Sequence, residues 1–207
     1  MQKLIYLSGK IIRFAFSKMR TTLTNLISYF LLYVNNVSFH NIRSNGIPYI
    51  MIARGGICKI GKNFKMNNGI YENPIGRTQP CMLIVDKGAT LTIGNNVGIS
   101  STAIVTQCSI AIGNNVKIGG GVCIYDTDFH SIDSNIRKDK NLDTKNKISK
   151  AVIIKDNVFI GAHSTILKGI TIGENSIIGA CSVVTKDIPQ NEIWGGNPAH
   201  FIKHIGF

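Results

Sequence analysis

Aliphatic residues recur at every sixth position over much of the chain: Ile93, Ile99 and Val105, then Ile112, Ile118 and Ile124, then Ile154, Ile160 and Ile166, then Ile172, Ile178 and Val184. Repetition at a fixed period constrains a fold more tightly than local propensity does. A period of six describes no single helix face, and one unbroken strand would waste it. It fits a short strand, a corner and another strand. Three such sides close a triangular coil. Stacked coils then pair each strand with the same side of the next, about 4.8 Å away, and the Ile and Val column fills the core. Glycine follows many column residues, as in "IGNN", "IGGG", "IGAH", "IGEN" and "IGAC", with Asn or Asp soon after. These residues tolerate positive φ and tight corners. The small residues Ser164, Ser176 and Ser182 leave room at the corners.

These repeats resemble those of the hexapeptide-repeat acyltransferases, and the resemblance covers about residues 56 to 203. It implies an all-β chain folded as a left-handed parallel β-helix; the hand comes from the resemblance alone, since general sterics favour right-handed crossovers. The β-helix is expected over residues 51–190, with a protruding loop at 129–150. A basic, amphipathic helical segment and connection occupy 1–50, and a short tail occupies 191–207.

The net charge of +12 is lopsided, because residues 1–71 hold ten Lys or Arg and no acid, the first being Glu72. Over residues 3–35, Leu4, Ile11, Ala15, Met19, Leu23, Leu26, Phe30 and Val34 form a helical stripe, with Lys3, Lys10, Arg13 and Arg20 mostly off it. The longest apolar run, "LISYFLLYV", is far short of the roughly 20 residues a bilayer crossing needs. Such a helix either lies on an anionic membrane surface or packs its apolar face on the protein or a neighbouring subunit. The segment lacks the dense basic run with interleaved aromatics of a nucleic-acid binder, so no nucleic acid is expected. Five scattered cysteines, without a C-x-x-C pair or a secretory signal pattern, indicate a reducing cytoplasm, read as small apolar fillers rather than metal ligands.

Two segments break the period: "NPIGRTQPC" at 73–81, and Phe129 to Lys150, which is polar and lacks an aliphatic column. At the root of the second stands "IYDTDFHS". Its version of the motif resembles that of sugar and xenobiotic O-acetyltransferases, in which a histidine on the loop leaving the β-helix is the general base; here that role falls on His130. Imidazole suits the task, since a sugar hydroxyl is a poor nucleophile until a base takes its proton. Asp126, Asp128 and His130 alternate, so an extended chain would turn all three to one side. Asp128 or Asp126 is then expected to orient the imidazole or to hold a sugar hydroxyl. His163 reads as a corner residue.

The same resemblance places an acetyl-CoA groove between subunits of a homotrimer. It carries an aromatic position on the pantetheine path to Phe159, where Trp is common, and an amide near the thioester to Ala162. Further cofactor contacts fall on Ala180, Thr185 and Lys186, and a phosphate contact falls on Lys203. The activity so implied is acetyl transfer from acetyl-CoA to a sugar hydroxyl in surface polysaccharide or lipopolysaccharide synthesis, without a metal. N-acetylation of an amino sugar, acetylation of a xenobiotic or of serine, and a non-enzymatic β-helix scaffold are the alternatives. A γ-carbonic anhydrase-type site would need a close histidine pair that the chain lacks.

Overall fold

The computed structural model describes residues 2–206; Met1 and Phe207, the ends of the two outer segments, lie outside the described residues. The chain winds into a triangular prism with three parallel sheets. Face one comprises Ser38–Phe39, Ile57–Ile60, Thr90–Ile93, Ser109–Ile112, Val152–Ile154 and Thr171–Ile172. Face two runs through Ile42–Asn45, Phe64–Asn67, Gly98–Ser100, Lys117–Ile118, Phe159–Ile160, Ile177–Ile178 and Glu192–Gly195, and ends on His200–His204, which pairs antiparallel. Face three comprises Tyr49–Ile52, Met82–Val85, Ala103–Thr106, Cys123–Tyr125, Thr165–Ile166 and Val183–Val184. The coils wind left-handed, as the resemblance implied. The first coil begins at Ser38, inside the stretch read as a connection; its aliphatics lack the Gly-Asn corners that mark the later coils.

The six-residue column is the core. On face one Ile60, Ile93, Ile112, Ile154 and Ile172 stand in register and are buried. On face three the column residue is Ile104 rather than Val105. Ser101, buried at φ +45°, turns the preceding corner one residue early, so Ile104 pairs with Ile124 and Val105 points outward. Cys58 and Cys81 are buried fillers, and burial pushes both thiols up to about 12, whereas Cys108 and Cys181 are exposed.

Each "IGNN"-type corner has a division of labour. A Cβ on Gly94 would lie 2.5 Å from the carbonyl oxygen of Gly113 in the next coil, so only glycine lets the coils close to strand spacing. The next position supplies an acceptor: Lys62 N–H donates to Asn95 Oδ1 at 2.8 Å and Asn95 N–H to Asn114 Oδ1 at 2.9 Å. The third takes positive φ, as at Asn63, Asn96, Asn115, Asn157, Asn175 and Asn191. The side chains of these residues, led by Asn41, form one ladder down the prism, each Nδ2 donating to the next Oδ1 at 2.6 to 3.1 Å. Buried serines finish other corners; Ser164 and Ser182 both donate to the Gly179 carbonyl.

Helix α1, Gln2–Val34, spans about 50 Å at 1.5 Å per residue. It does not pack by its apolar stripe. Among its described residues Thr24, Ser28 and Leu32 are buried, while Ile11, Met19, Leu23, Leu26, Phe30 and Val34 are exposed. The reason lies in the first coil, whose upper edge carries backbone groups with no strand above them. Asn25 Oδ1 accepts from Ser44 N–H at 2.8 Å, Thr24 Oγ1 from Gly46 N–H at 3.2 Å, and Asn35 Oδ1 from Ile52 N–H at 3.2 Å. A mixed face therefore seats on the prism, these acceptors beside Leu32 in the core and Tyr29 against it, and most of the apolar stripe is left outward. Among the described residues no helix is long and apolar enough to cross a membrane. At the other end Trp194 is buried in the core, its indole N–H donating to Glu192 at 2.6 Å.

The ladder makes a stability prediction. Asn157→Gly removes two ladder bonds but suits φ +61°, whereas Asn157→Ala adds left-handed strain of about 1–2 kcal/mol. Thermal denaturation should rank wild type above Asn157→Gly and Asn157→Gly above Asn157→Ala. An alanine variant as stable as the glycine variant would show that the corner makes no such demand.

Candidate active site

The loop at 129–150 replaces the corner between faces three and one, and it is folded rather than slack. Its root is closed by an antiparallel bridge between Thr127 and Ser149, by Asp128 N–H to Ile148 O at 3.0 Å, and by Lys150 N–H to Asp126 O at 2.8 Å. A 3-10 turn, Ile136–Lys138, leads into a short helix, Lys140–Asn146, capped by Asp139, whose carboxylate accepts from Asn141 and Leu142 N–H.

That helix delivers Asp143 to the root of the loop. Its Oδ2 lies 2.7 Å from His130 Nδ1, and its Oδ1 accepts from Ser131 N–H at 2.6 Å. These two bonds, the imidazole first, hold the Asp143 carboxyl below the usual carboxylate range. A carboxylate only accepts, so Nδ1 carries a proton, and in the neutral imidazole the lone pair is then on Nε2. The His130 side chain is 68% exposed, which leaves Nε2 open to a substrate. This is the geometry of an oriented general base.

The orienting carboxylate is thus neither Asp126 nor Asp128. Phe129 takes φ +64°, which breaks the extended run that would have aligned them with His130. Asp126 is fully buried, its two oxygens accepting from Gln107 N–H at 2.7 Å and Cys108 N–H at 2.8 Å. Burial pushes its carboxyl up, opposed by those amides. It straps one corner to the next and cannot reach a sugar. Asp128 Oδ1 pairs with Lys168 Nζ at 2.6 Å, while its Oδ2 is buried without a hydrogen-bond partner. The pairing with Lys168 ties the root of the loop to the corresponding corner of the next coil.

The residues assigned to a cofactor fall elsewhere on the chain. Ala162 and Ala180 occupy successive corners between faces two and three. Among the described residues neither amide donates a hydrogen bond to a protein acceptor, although the flanking amides do: Gly161 to Ile178 O, His163 to Gly120 O, Gly179 to Trp194 O and Cys181 to Ala162 O. Two open amides on one edge suit an extended ligand rich in carbonyl groups. Phe159 is half exposed on face two and lines, with Lys65 and Lys117, a groove of about 290 Å³. Thr185 and Lys186 are exposed at the corner after face three, with Lys186 Nζ 5.1 Å over the Trp194 ring. Lys203 sits exposed on the final strand beside Ile193. A single chain therefore does not join His130 to Ala162: they stand on different edges of the prism, with face three between them. Among the described residues no three His, Cys, Asp or Glu side chains are grouped to share a metal ion.

Residues 151–186 match the family model described as bacterial transferase hexapeptide (six repeats). The fold is similar to that of a hexapeptide-repeat acetyltransferase from Vibrio cholerae O1 biovar eltor, solved with acetyl coenzyme A, at 31% identity and a TM-score of 0.53. That alignment covers 61% of this chain and 64% of the Vibrio chain, just under two thirds. A maltose O-acetyltransferase from Clostridium difficile 630 aligns at 27% identity over 90% of this chain and 89% of its own, with a TM-score of 0.54. The polySia-specific acetyltransferase NeuO aligns at 25% identity over 82% and 88%, with a TM-score of 0.55.

If Asp143 pins the root of the loop, Asp143→Ala should release it locally. Amide hydrogen exchange should quicken at Ser131 and in the short helix while Ile154, Ile160 and Ile166 stay protected. Unchanged exchange at Ser131 would show that the carboxylate does not hold the loop.

Proposed function

We propose that this hexapeptide-repeat protein is an acetyl-CoA-dependent O-acetyltransferase acting on a sugar hydroxyl, in the synthesis of a surface polysaccharide or lipopolysaccharide. The observation that carries the reading is the His130–Asp143 pair, with Nδ1 committed to a carboxylate and Nε2 exposed on a loop that leaves the core. Nε2 takes the proton of the acceptor hydroxyl as its oxygen attacks the thioester carbonyl. The imidazolium so formed is stabilised by Asp143. The C–S bond breaks, and the proton passes to the departing thiolate. Asp128, paired with Lys168, braces the root of the loop that carries the base. The free Ala162 amide supplies a preorganised donor for the developing oxyanion. Lys186 and Lys203 meet the nucleotide phosphates.

The separation of His130 from the Ala162 edge supports a homotrimer, in which one protomer's loop meets its neighbour's open amides. Helix α1 supports a further element of the reading. With an outward apolar stripe and no acidic residue, it suits the anionic inner face of a membrane that carries a lipid-linked acceptor.

His130→Ala should keep the β-helix folded, since the column is untouched, and lower kcat about 10²- to 10⁴-fold with little change in KM for acetyl-CoA. Near-normal turnover by the folded variant would remove the general base. The membrane element is tested by deleting residues 2–18, which leaves the capping residues Thr24, Asn25 and Asn35 in place. Co-sedimentation with phosphatidylglycerol vesicles should fall while acetylation of a soluble acceptor persists; undiminished vesicle binding would place the contact elsewhere.

A further inference from the structure

The first break in the period, the loop at 73–80, is fastened to the same edge of the prism as Ala162. The buried Asn73 side chain donates to Ser101 Oγ at 2.8 Å, and Gln79 Nε2 donates to the Ser101 carbonyl at 2.6 Å. Ser101 is the face-two-to-three corner of its coil, so the clamp lays the loop down over the corresponding corner of the next coil, Gly120–Gly121. A Cβ on Gly120 would come within 2.9 Å of Arg77 Cγ, so glycine there makes room for the arginine stem. One coil further on, Arg77 Nη1 lies 3.5 Å from His163 Nδ1. Arginine only donates, so Nδ1 is the acceptor.

The guanidinium is therefore held on the edge beside the open Ala162 amide, half-buried, against the His163 ring. Among the described residues no carboxylate lies within ion-pair distance of it. A fixed cation in that position is incomplete without an anion. The nucleotide end of the donor is assigned to the other side of Ala162, towards Ala180 and the C-terminal lysines, which leaves Arg77 on the acceptor side. We propose that Arg77 is a specificity residue that pairs with an anionic group, carboxylate or phosphate, on the acceptor sugar. The word acceptor rests on the transferase reading above, and the pairing with an anion does not.

The test is calorimetric titration of the full chain, with and without saturating CoA. The probes are methyl glucuronide and glucose 6-phosphate against methyl glucoside, together with their galactose counterparts. At least one acid should bind about tenfold or more tightly than its neutral twin, the range expected of a hydrogen-bonded charge pair. Arg77→Gln should abolish that preference, Arg77→Lys should retain part of it, and CoA affinity should not change. The carboxylate and phosphate arms identify which anion is read. Absence of an acid preference in both sugar series, or a preference that survives Arg77→Gln, overturns the proposal. Failure of CoA itself to bind counts against the transferase reading instead, since the acid preference is also measured without it.

Discussion

Coils can stack at strand spacing only where the corners accept left-handed backbone, and here one side chain turns that requirement into cohesion. Each non-glycine residue held at positive φ costs about 1–2 kcal/mol. Each ladder bond between asparagines returns about 0.5–1.5 kcal/mol net. The two are of similar size, so the corner is close to neutral and the aliphatic column keeps most of its advantage. Glycine alone would relieve the strain without linking the coils. Asparagine relieves part of it and ties each coil to the next, which fixes register as well as spacing.

Because every core position is occupied by the column, chemistry has room only at corners. Both interruptions of the period replace or overlie a corner, and both are tied down by polar side chains: buried Asp126 below the 129–150 loop, and buried Asn73 with the exposed Gln79 at the other. The buried aspartate in "DTDFH" thus holds the point of departure, while a second carboxylate, supplied from within the loop, sets the imidazole. The strap is rigid and the orienting group local, which places an exposed histidine in one tautomer without burying it.

Much of this was legible in the sequence. The period gave strand, corner and stack, and the place where it failed located His130. What stayed hidden has one common cause: contacts formed across coils or by local folding leave no periodic trace. Asp143 lies 13 residues beyond His130 in a polar stretch, and only the short helix brings it back. Ile104 was missed because a buried serine corner is one residue tighter than its Gly-Asn counterparts. The seating of α1 was legible only as two alternatives for a related reason. Its stripe advertises apolar surface, whereas the acceptors Thr24, Asn25 and Asn35 that meet the first coil leave no periodic trace.

The two ends of the prism bear on a different matter, the tendency of stacked β-coils to recruit copies of themselves. A parallel solenoid offers a ready template at each end, where an unpaired strand could extend into a fibre. Here α1 lies over the first coil, and at the far end the direction of pairing reverses before the outermost strand, His200–His204, which is exposed along its length and carries Lys203 and two histidines. A reversed, basic edge is a poor match for the parallel, asparagine-cornered coil of another molecule. Neither end therefore presents the bare parallel coil that end-to-end stacking of copies would need.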